Sequence, residues 1–552
     1  MSQAGVREHN MTDYEAERRE FKWEVPADFN WAFDVVDRWA ENLDQEAMLW
    51  VSHDGQQERR FTYADFRQRS NRLANALESL GVRQSDRVFL MLPRVPEWWE
   101  AILGIMKVGA VSMPGTILLT PKDIAYRAQA AETKVVITDA ANAAKFDEVR
   151  GQCPSFEVMI VVGGEREGWV SYEAAVNAAS EQRERLATPS SDPCMVYFTS
   201  GTVGYPKMVL HTHASYPIGH IITGKYWLDL QPTDLHWNLS ETGWAKAAWS
   251  NLFGPWNMGA SLFIHDGRGK FNARETLEFL QKYSITTFCA PPTAYRMLVL
   301  ENLRAYQFPR LRHCVGAGEP LNPEVIEQWQ AATGLTIRDG YGQTETVLLC
   351  GNFPPLTVKP GSMGKPSPGF DVAVVDHDGN ILPPGKEGDI GVRVHPTRPV
   401  GLFQAYWRNP GATQAAMRGD WYITGDRAVM DEDGYFWFVG RADDVILSAG
   451  YRIGPFEVES ALVEHPAVAE AAVVASPDEI RGEVVKAFVI LAPGYEPSEA
   501  LAAELQDYVK NVTAPYKYPR EIEFVTELPK TISGKIRRVE LRQREKQRKG
   551  PQ

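Results

Sequence analysis

The chain has 552 residues, 44% of them hydrophobic and 23% charged, which is the composition of a globular protein with more than one core. A net charge of −13 argues against a nucleic-acid binder, and no apolar run approaches the ~18–20 residues of a membrane span. Residues Met1 to Trp23 are polar and of mixed charge, unlike a signal peptide or an acid-poor transit peptide, so the expected compartment is the cytoplasm. Cys153, Cys194, Cys289, Cys314 and Cys350 have no metal-ligand spacing and are expected to be reduced and mostly buried. His211 and His213 fit strand alternation rather than a metal pair.

In chain order, residues 1–60 read as a helical approach region rich in tryptophan. Thr62 and Asp65 open a helix that Gly81 ends. A strand from Arg87 to Leu92, a helix from Trp98 to Lys107 stopped at Gly109, and a strand from Val111 to Pro114 follow. Thr120 and Pro121 open the next helix, and Val135 to Thr138 is again a strand. The rhythm returns with strands at 261–265, 286–290, 313–316 and 335–337 and helices at 273–283 and 323–333. Strands alternating with helices predict α/β architecture: mostly parallel sheets covered on both faces. From about Gly361 short strands and turns make a β-rich part of this first domain, residues 1–440. Beyond Gly440-Arg441-Ala442-Asp443-Asp444, residues 441–552 read as a small α+β domain able to move as a body. Its basic tail is expected to be a solvated, frayed helix over the last dozen residues.

Between the two strand–helix series lies Met195 to Lys207, an apolar strand opening into Thr199, Ser200, Gly201, Thr202, Val203, Gly204, Tyr205, Pro206 and Lys207. The glycines let backbone N–H groups approach an anion, the hydroxyls add donors, and Lys207 adds a point charge. By residue type alone it is equally a polar hairpin turn; proline before the lysine and methionine after it exclude the Walker pattern. Likewise Gly340-Tyr341-Gly342-Gln343-Thr344-Glu345 alone is a turn, Asp426 a turn acid and Lys535 a solvated tail charge.

The order Ser-Gly-Thr-x-Gly-x-Pro-Lys resembles the phosphate loop of the adenylate-forming superfamily, which comprises acyl-CoA and aryl-CoA synthetases, luciferases and peptide-synthetase adenylation domains. Val203 departs from the family's usual Thr or Ser, removing one hydroxyl donor. Four further motifs resemble the family's in its own order. The match implies that Tyr341 stacks on adenine, Thr344 touches the α-phosphate, Glu345 binds magnesium, and Asp426 of Thr424-Gly425-Asp426 holds the ribose with Arg441. Glu319, Asp339, Gly340, Gly342 and Gln343 are implied nucleotide contacts, and Asp443 the hinge pivot. Ala449, Gly450, Tyr451 and Arg452 match the segment that meets coenzyme A after the small domain rotates, with Ser448 one place earlier than the family's serine. Lys535, in Leu528-Pro529-Lys530-Thr531-Ile532-Ser533-Gly534-Lys535, matches the lysine between the carboxylate and the α-phosphate.

The resemblance covers about residues 30–545 and is nearest the medium-chain acyl-CoA synthetase branch, whose CoA-phosphate cations match at Arg452, Arg481 and Lys510. It implies ATP, magnesium and coenzyme A with a carboxylic acid substrate. Animal members are mitochondrial, so a mature eukaryotic form would belong to the matrix. Acetate-specific members carry tryptophan where this chain has Gly342, so the acyl group is expected to exceed acetate, within walls at Trp237, Trp244, Gly316, Ala317, Gly318 and Val347. Straight medium-chain, branched and benzoic acids all stay open. So do two rivals: a carrier-loading or luciferase-like enzyme, and a non-catalytic nucleotide binder. A homo-oligomer is also allowed, and Lys535 is a candidate for a lysine acetyltransferase.

Overall fold

The computed structural model describes residues 8–199, 206–448, 451–478, 482–531 and 534–549, with Arg452 given by its backbone alone. Two large sheets dominate the first 400 residues or so. One has nine strands in the spatial order 365–366, 348–351, 337–342, 313–317, 287–290, 235–238, 261–265, 46–51 and 58–62. The other has eight, in the order 405–406, 208–212, 193–198, 111–114, 87–91, 135–139, 158–162 and 170–171. Their interior pairs are parallel, as the strand–helix alternation demands, and three of their four flanks are antiparallel, the pair 158–162 with 170–171 being parallel.

Local chemistry sets several boundaries. Thr62 and Asp65 form a reciprocal capping box on Tyr63–Ser79, and Thr120 and Asp123 form another on Pro121–Ala131. Helix Pro96–Val108 is apolar nearly all round and wholly buried, and Gly109 stops it at φ +75°, which an L side chain would resist. Residues 1–60 are not a purely helical approach. Glu46–Val51 is a strand paired in parallel with Ser261–His265 and antiparallel with Glu58–Thr62. The residues before it are strapped down by distant groups: Tyr14 donates to the Pro366 carbonyl at 2.7 Å, and the Asn10 amide donates to Asp229 at 2.8 Å.

The β-rich part is a five-stranded sheet built on Val372–Val375, Glu387–Arg393 and Trp421–Met430, closed by Met417–Arg418 and Phe436–Arg441. After Arg441 a separate five-stranded sheet begins, its longest pair Val468–Asp478 and Gly482–Leu491. Helices Pro455–Val463 and Glu499–Val512 cover one face, with Val458, Leu462, Leu505 and Val509 in the core. Asn322 donates to Ser460 at 3.1 Å across the contact with the larger body.

The basic tail is not a frayed, solvated helix. Arg538–Lys549 lies on the other face of this sheet, with Leu541 packed among Ala472, Val474 and Phe488. Glu545, 2% exposed, accepts from Lys486 at 2.6 Å and from Ser476 at 2.8 Å. Burial would raise its carboxyl, but Arg548, Lys486 and Ser476 hold it down to about 2. Arg538 pairs with Glu459, and Arg542 with Asp444 beside the junction. All five cysteines are buried and free. No described helix is long and apolar enough to cross a membrane.

Candidate active site

The candidate residues converge from four stretches of chain. Strands Pro193–Phe198 and Met208–Thr212 are an antiparallel pair, so the hydroxyl- and glycine-rich connection is a hairpin. Ser200, Gly201, Thr202, Val203, Gly204 and Tyr205 lie outside the described residues. At its ends, the Thr199 amide donates to the Lys207 carbonyl at 3.0 Å, and Tyr126 donates to the Pro206 carbonyl at 3.0 Å. The Lys207 ammonium sits 4.6 Å from the Tyr406 ring centre. The Tyr406 hydroxyl donates to Glu345 at 2.8 Å, so one aromatic ring touches both the loop cation and the candidate metal ligand.

Glu345 is in a setting that suits a cation. Burial raises its carboxyl, against the pull of Tyr406, Arg441 and Lys207. Magnesium delivered with a nucleotide needs only one or two protein oxygens, and a half-buried carboxylate with one neutral donor leaves lone pairs for it. Among the described residues the other acidic and histidine grouping is Asp376, His377 and Asp378, an exposed turn whose Asp376 is already bound by Asn380.

Gly340-Tyr341-Gly342 is not a turn but the end of strand Ile337–Gly342, paired antiparallel with Leu348–Gly351. This places Tyr341 and Gln343 against Asp426, with the Tyr341 hydroxyl and Gln343 amide each donating to its Oδ2 at 2.6 Å. Arg441 stands 3.2 Å from the other oxygen, and its charge also acts on Glu345. Gln343 further donates to the Thr424 carbonyl at 2.9 Å and accepts from Tyr422 at 3.0 Å. Its side chain therefore holds Asp426 in place instead of reaching a ligand.

Asp339 is buried and accepts from the Gly340 amide at 2.9 Å. Burial pushes its carboxyl up to about 8, with Lys246 pulling the other way. An unfolded aspartate titrates at ~3.9, so the folded state binds the extra proton between these values and loses stability as pH rises through the window. Asp339→Asn should flatten that slope in thermal melts from pH 5 to 8; an unchanged slope would assign it to another group.

Lys246 has no place in the motifs. It is half-buried, donates to the Ala317 carbonyl, and feels the charges of Glu319, Asp339 and Lys535. Burial lowers its ammonium, and Lys535 adds to the fall. The signal in the sequence is the single charged residue in the stretch from Trp244 to Phe253. Glu319 itself is held by Thr293 at 3.1 Å and Arg296 at 3.3 Å. Lys535 is exposed, at the end of a tight turn in which its amide donates to Thr531 at 3.1 Å.

Two pocket expectations need correction. Trp237 packs into the core with Phe263, Phe279 and Phe288, so it is not a pocket wall. Gly342 does not leave open space: a Cβ there would collide with the Trp249 indole and the Val347 carbonyl. The indole comes from another segment, which no local pattern reveals. Trp244 is half-buried at the start of helix Ala245–Ala248. Gly316 and Ala317 end a strand, and Gly318 at φ +107° faces Lys246. Val347 is buried, its amide donating to the Gly401 carbonyl at 3.0 Å.

On the small unit, Tyr451 is 50% exposed and stacks on Tyr516 with ring centres 4.2 Å apart. Lys510 pairs with Asp507 and lies 4.4 Å over the Tyr518 ring. Ala449, Gly450 and Arg481, and the Arg452 side chain, are outside the described residues. Asp443 is exposed, whereas Asp444 is buried with Arg542.

A two-sheet α/β body, a clustered carboxylate–tyrosine–arginine site and a small α+β unit after it are the architecture of a nucleotide-handling enzyme. Residues 36–407 match the AMP-binding enzyme family and residues 457–535 the AMP-binding enzyme C-terminal domain. The chain belongs to the AMP-binding enzyme family. It is 51% identical to the mitochondrial acyl-coenzyme A synthetase ACSM3 of Rattus norvegicus, over 97% of this chain and 94% of that one. The anthranilate CoA ligase AuaEII in complex with anthranoyl-AMP superposes at a TM-score of 0.86, with 33% identity, over 94% of this chain and 98% of that one. ATP-bound MatB from Rhodopseudomonas palustris superposes at 0.80, with 25% identity, over 92% and 98%.

Proposed function

We propose that the chain is an ATP-dependent acyl-CoA synthetase: it joins a carboxylic acid to the α-phosphate of ATP, releasing pyrophosphate, and then passes the acyl group to coenzyme A, releasing AMP. The observation that supports this is the cluster in which Tyr406 joins Lys207 to Glu345 while Arg441 pairs with Asp426 and acts on Glu345. Asp426 and Arg441 would hold the ribose hydroxyls, and Tyr341 would stack on the base. Glu345 would hold magnesium, which supplies charge neutralisation on the phosphates when bound.

A carboxylate is already ionised at neutral pH, so the first step needs no general base. It needs two anions brought together, and Lys535 between them lowers that repulsion and orients the attack. In the second step the CoA thiol attacks the acyl carbonyl and AMP leaves, with Tyr451, Arg452, Arg481 and Lys510 of the small unit as the coenzyme contacts. Asp443 is the pivot between the two arrangements.

Medium-chain acids are the first candidates, and the named relatives support testing both alkyl and aryl acids. Their mitochondrial naming favours the matrix over the cytoplasm. Exposure of Lys535 leaves it open to acetylation, which would remove its charge.

The deciding experiment is carboxylate-dependent ATP–pyrophosphate exchange from acetate to decanoate, with benzoate and anthranilate, with and without CoA. Exchange peaking above acetate, with thioester formed when CoA is present, is the expected result. Exchange without thioester would favour a carrier-loading enzyme, and nucleotide binding without exchange a non-catalytic protein.

A further inference from the structure

We propose that His211 and Tyr216 are positioning residues for the adenylation step, forming a two-donor clamp on the main-chain carbonyl of Thr344. The proposal rests on the reading above, in which Thr344 and Glu345 face the nucleotide. His211 lies in strand Met208–Thr212, which leaves the phosphate hairpin, and Tyr216 in the helical turn Ala214–Ile218 just beyond it. Both are fully buried, and their rings stack with centres 3.4 Å apart.

The proton positions follow from the partners. Burial brings the His211 imidazole down to about 3, so it is neutral at working pH. Ser215 Oγ already accepts from the Thr212 amide at 2.8 Å, which leaves its own proton for His211 Nδ1 at 3.0 Å. That makes Nδ1 the acceptor and Nε2 the donor. His211 Nε2 donates to the Thr344 carbonyl at 2.8 Å, and the Tyr216 hydroxyl donates to the same oxygen at 2.6 Å. Burial raises the Tyr216 phenol far above its ordinary value, so it stays a donor. Both lone pairs of one carbonyl are thereby engaged.

The next carbonyl, that of Glu345, accepts from the Phe403 amide at 2.7 Å. Because a peptide unit is planar, fixing these two oxygens fixes the planes on either side of the Glu345 Cα, and with them the direction in which its side chain leaves the backbone; Tyr406 then holds the carboxylate itself. The clamp thus ties the phosphate hairpin to Glu345 by a second route, independent of the Lys207–Tyr406–Glu345 contact. A purely structural pair would serve packing; two convergent donors on the residue next to the metal carboxylate serve geometry.

Tyr216→Phe removes one donor and keeps the ring; His211→Phe removes the other; His211→Gln returns an N–H. Exchange kcat should fall by about 10- to 100-fold in both Phe variants, because small misplacements at the reacting centre are that costly. Half-saturating magnesium should rise, while the KM for the carboxylic acid stays within about twofold. His211→Gln should recover most of the loss. A folded Tyr216→Phe with unchanged kcat and magnesium dependence would overturn the clamp, as would a loss confined to the carboxylate KM. A loss that tracks a fallen melting temperature and that His211→Gln does not repair would also overturn it. If the unaltered protein shows no exchange, the enzyme reading fails on its own. The clamp is then read by calorimetry of magnesium–ATP: weaker binding in the Phe variants supports it, and unchanged binding overturns it.

Discussion

Lys535→Ala should lower ATP–pyrophosphate exchange by about 10²–10³-fold, the size seen when one preorganised electrostatic partner of a developing charge is removed. The side chain is exposed and its turn is held by main-chain contacts to Thr531, so the fold should be unaffected. Its effect is specific to the step that joins two anions. Thiolysis of a supplied acyl-adenylate by CoA should therefore survive within a few-fold. Lys535→Arg keeps the charge but not the compact ammonium, and should restore only part of the rate. Equal loss of both half-reactions would show that Lys535 serves the whole site and would remove the assignment. Lys246 sharpens the expectation: a half-buried ammonium whose charge acts on Lys535 means that an anion between the two would relieve both.

The second large effect concerns Gly342 and Trp249. Gly342→Ala should cost about 1–3 kcal/mol through overpacking, because one of the two obstacles is the Val347 carbonyl, which cannot rotate away. Trp249→Ala should extend the accepted acyl chain. Each methylene newly buried is worth about 0.8 kcal/mol, or roughly fourfold in kcat/KM. Trp249→Ala should also cost stability, about 3–5 kcal/mol as for other buried tryptophans, so melting curves belong beside the chain-length profile. In Gly342→Ala/Trp249→Ala the two penalties should not add, since one removes the collision made by the other. A chain-length profile unmoved by Trp249→Ala would place the acyl group elsewhere.

Much of the scaffold was legible because its signals are local. Capping boxes at Thr62 and Thr120, the glycine stop at Gly109 and the short β-branched run at 135–138 each act over a few residues. Glu46–Val51 was not legible as a strand. Its parallel partner, Ser261–His265, lies more than 200 residues away, and the tryptophans around it suggest a helix face equally well. The tail failed for a similar reason. Glu545 reads as one charge among many until Lys486 and Ser476 are brought to it by the sheet. The motif residues gave the parts of the site, but not which of them support others. Gln343 holding Asp426, Tyr406 joining Lys207 to Glu345, and Trp249 filling the space beside Gly342 are all long-range contacts.

The docked helix Arg538–Lys549 also bears on how the protein is made. Its Leu541 completes one face of the small unit's sheet, and its Glu545 neutralises a lysine that is otherwise buried without a close tertiary counter-charge except the half-exposed Glu523. These residues follow the rest of the small unit in the chain and leave the ribosome after it. The larger body has its sheets by Arg441 and can fold during synthesis, domain by domain. The small unit waits for this helix, so nascent protein passes through an interval with a finished nucleotide-binding body and an unfinished small unit. A stall or premature stop within this last helix would leave that intermediate as the end product.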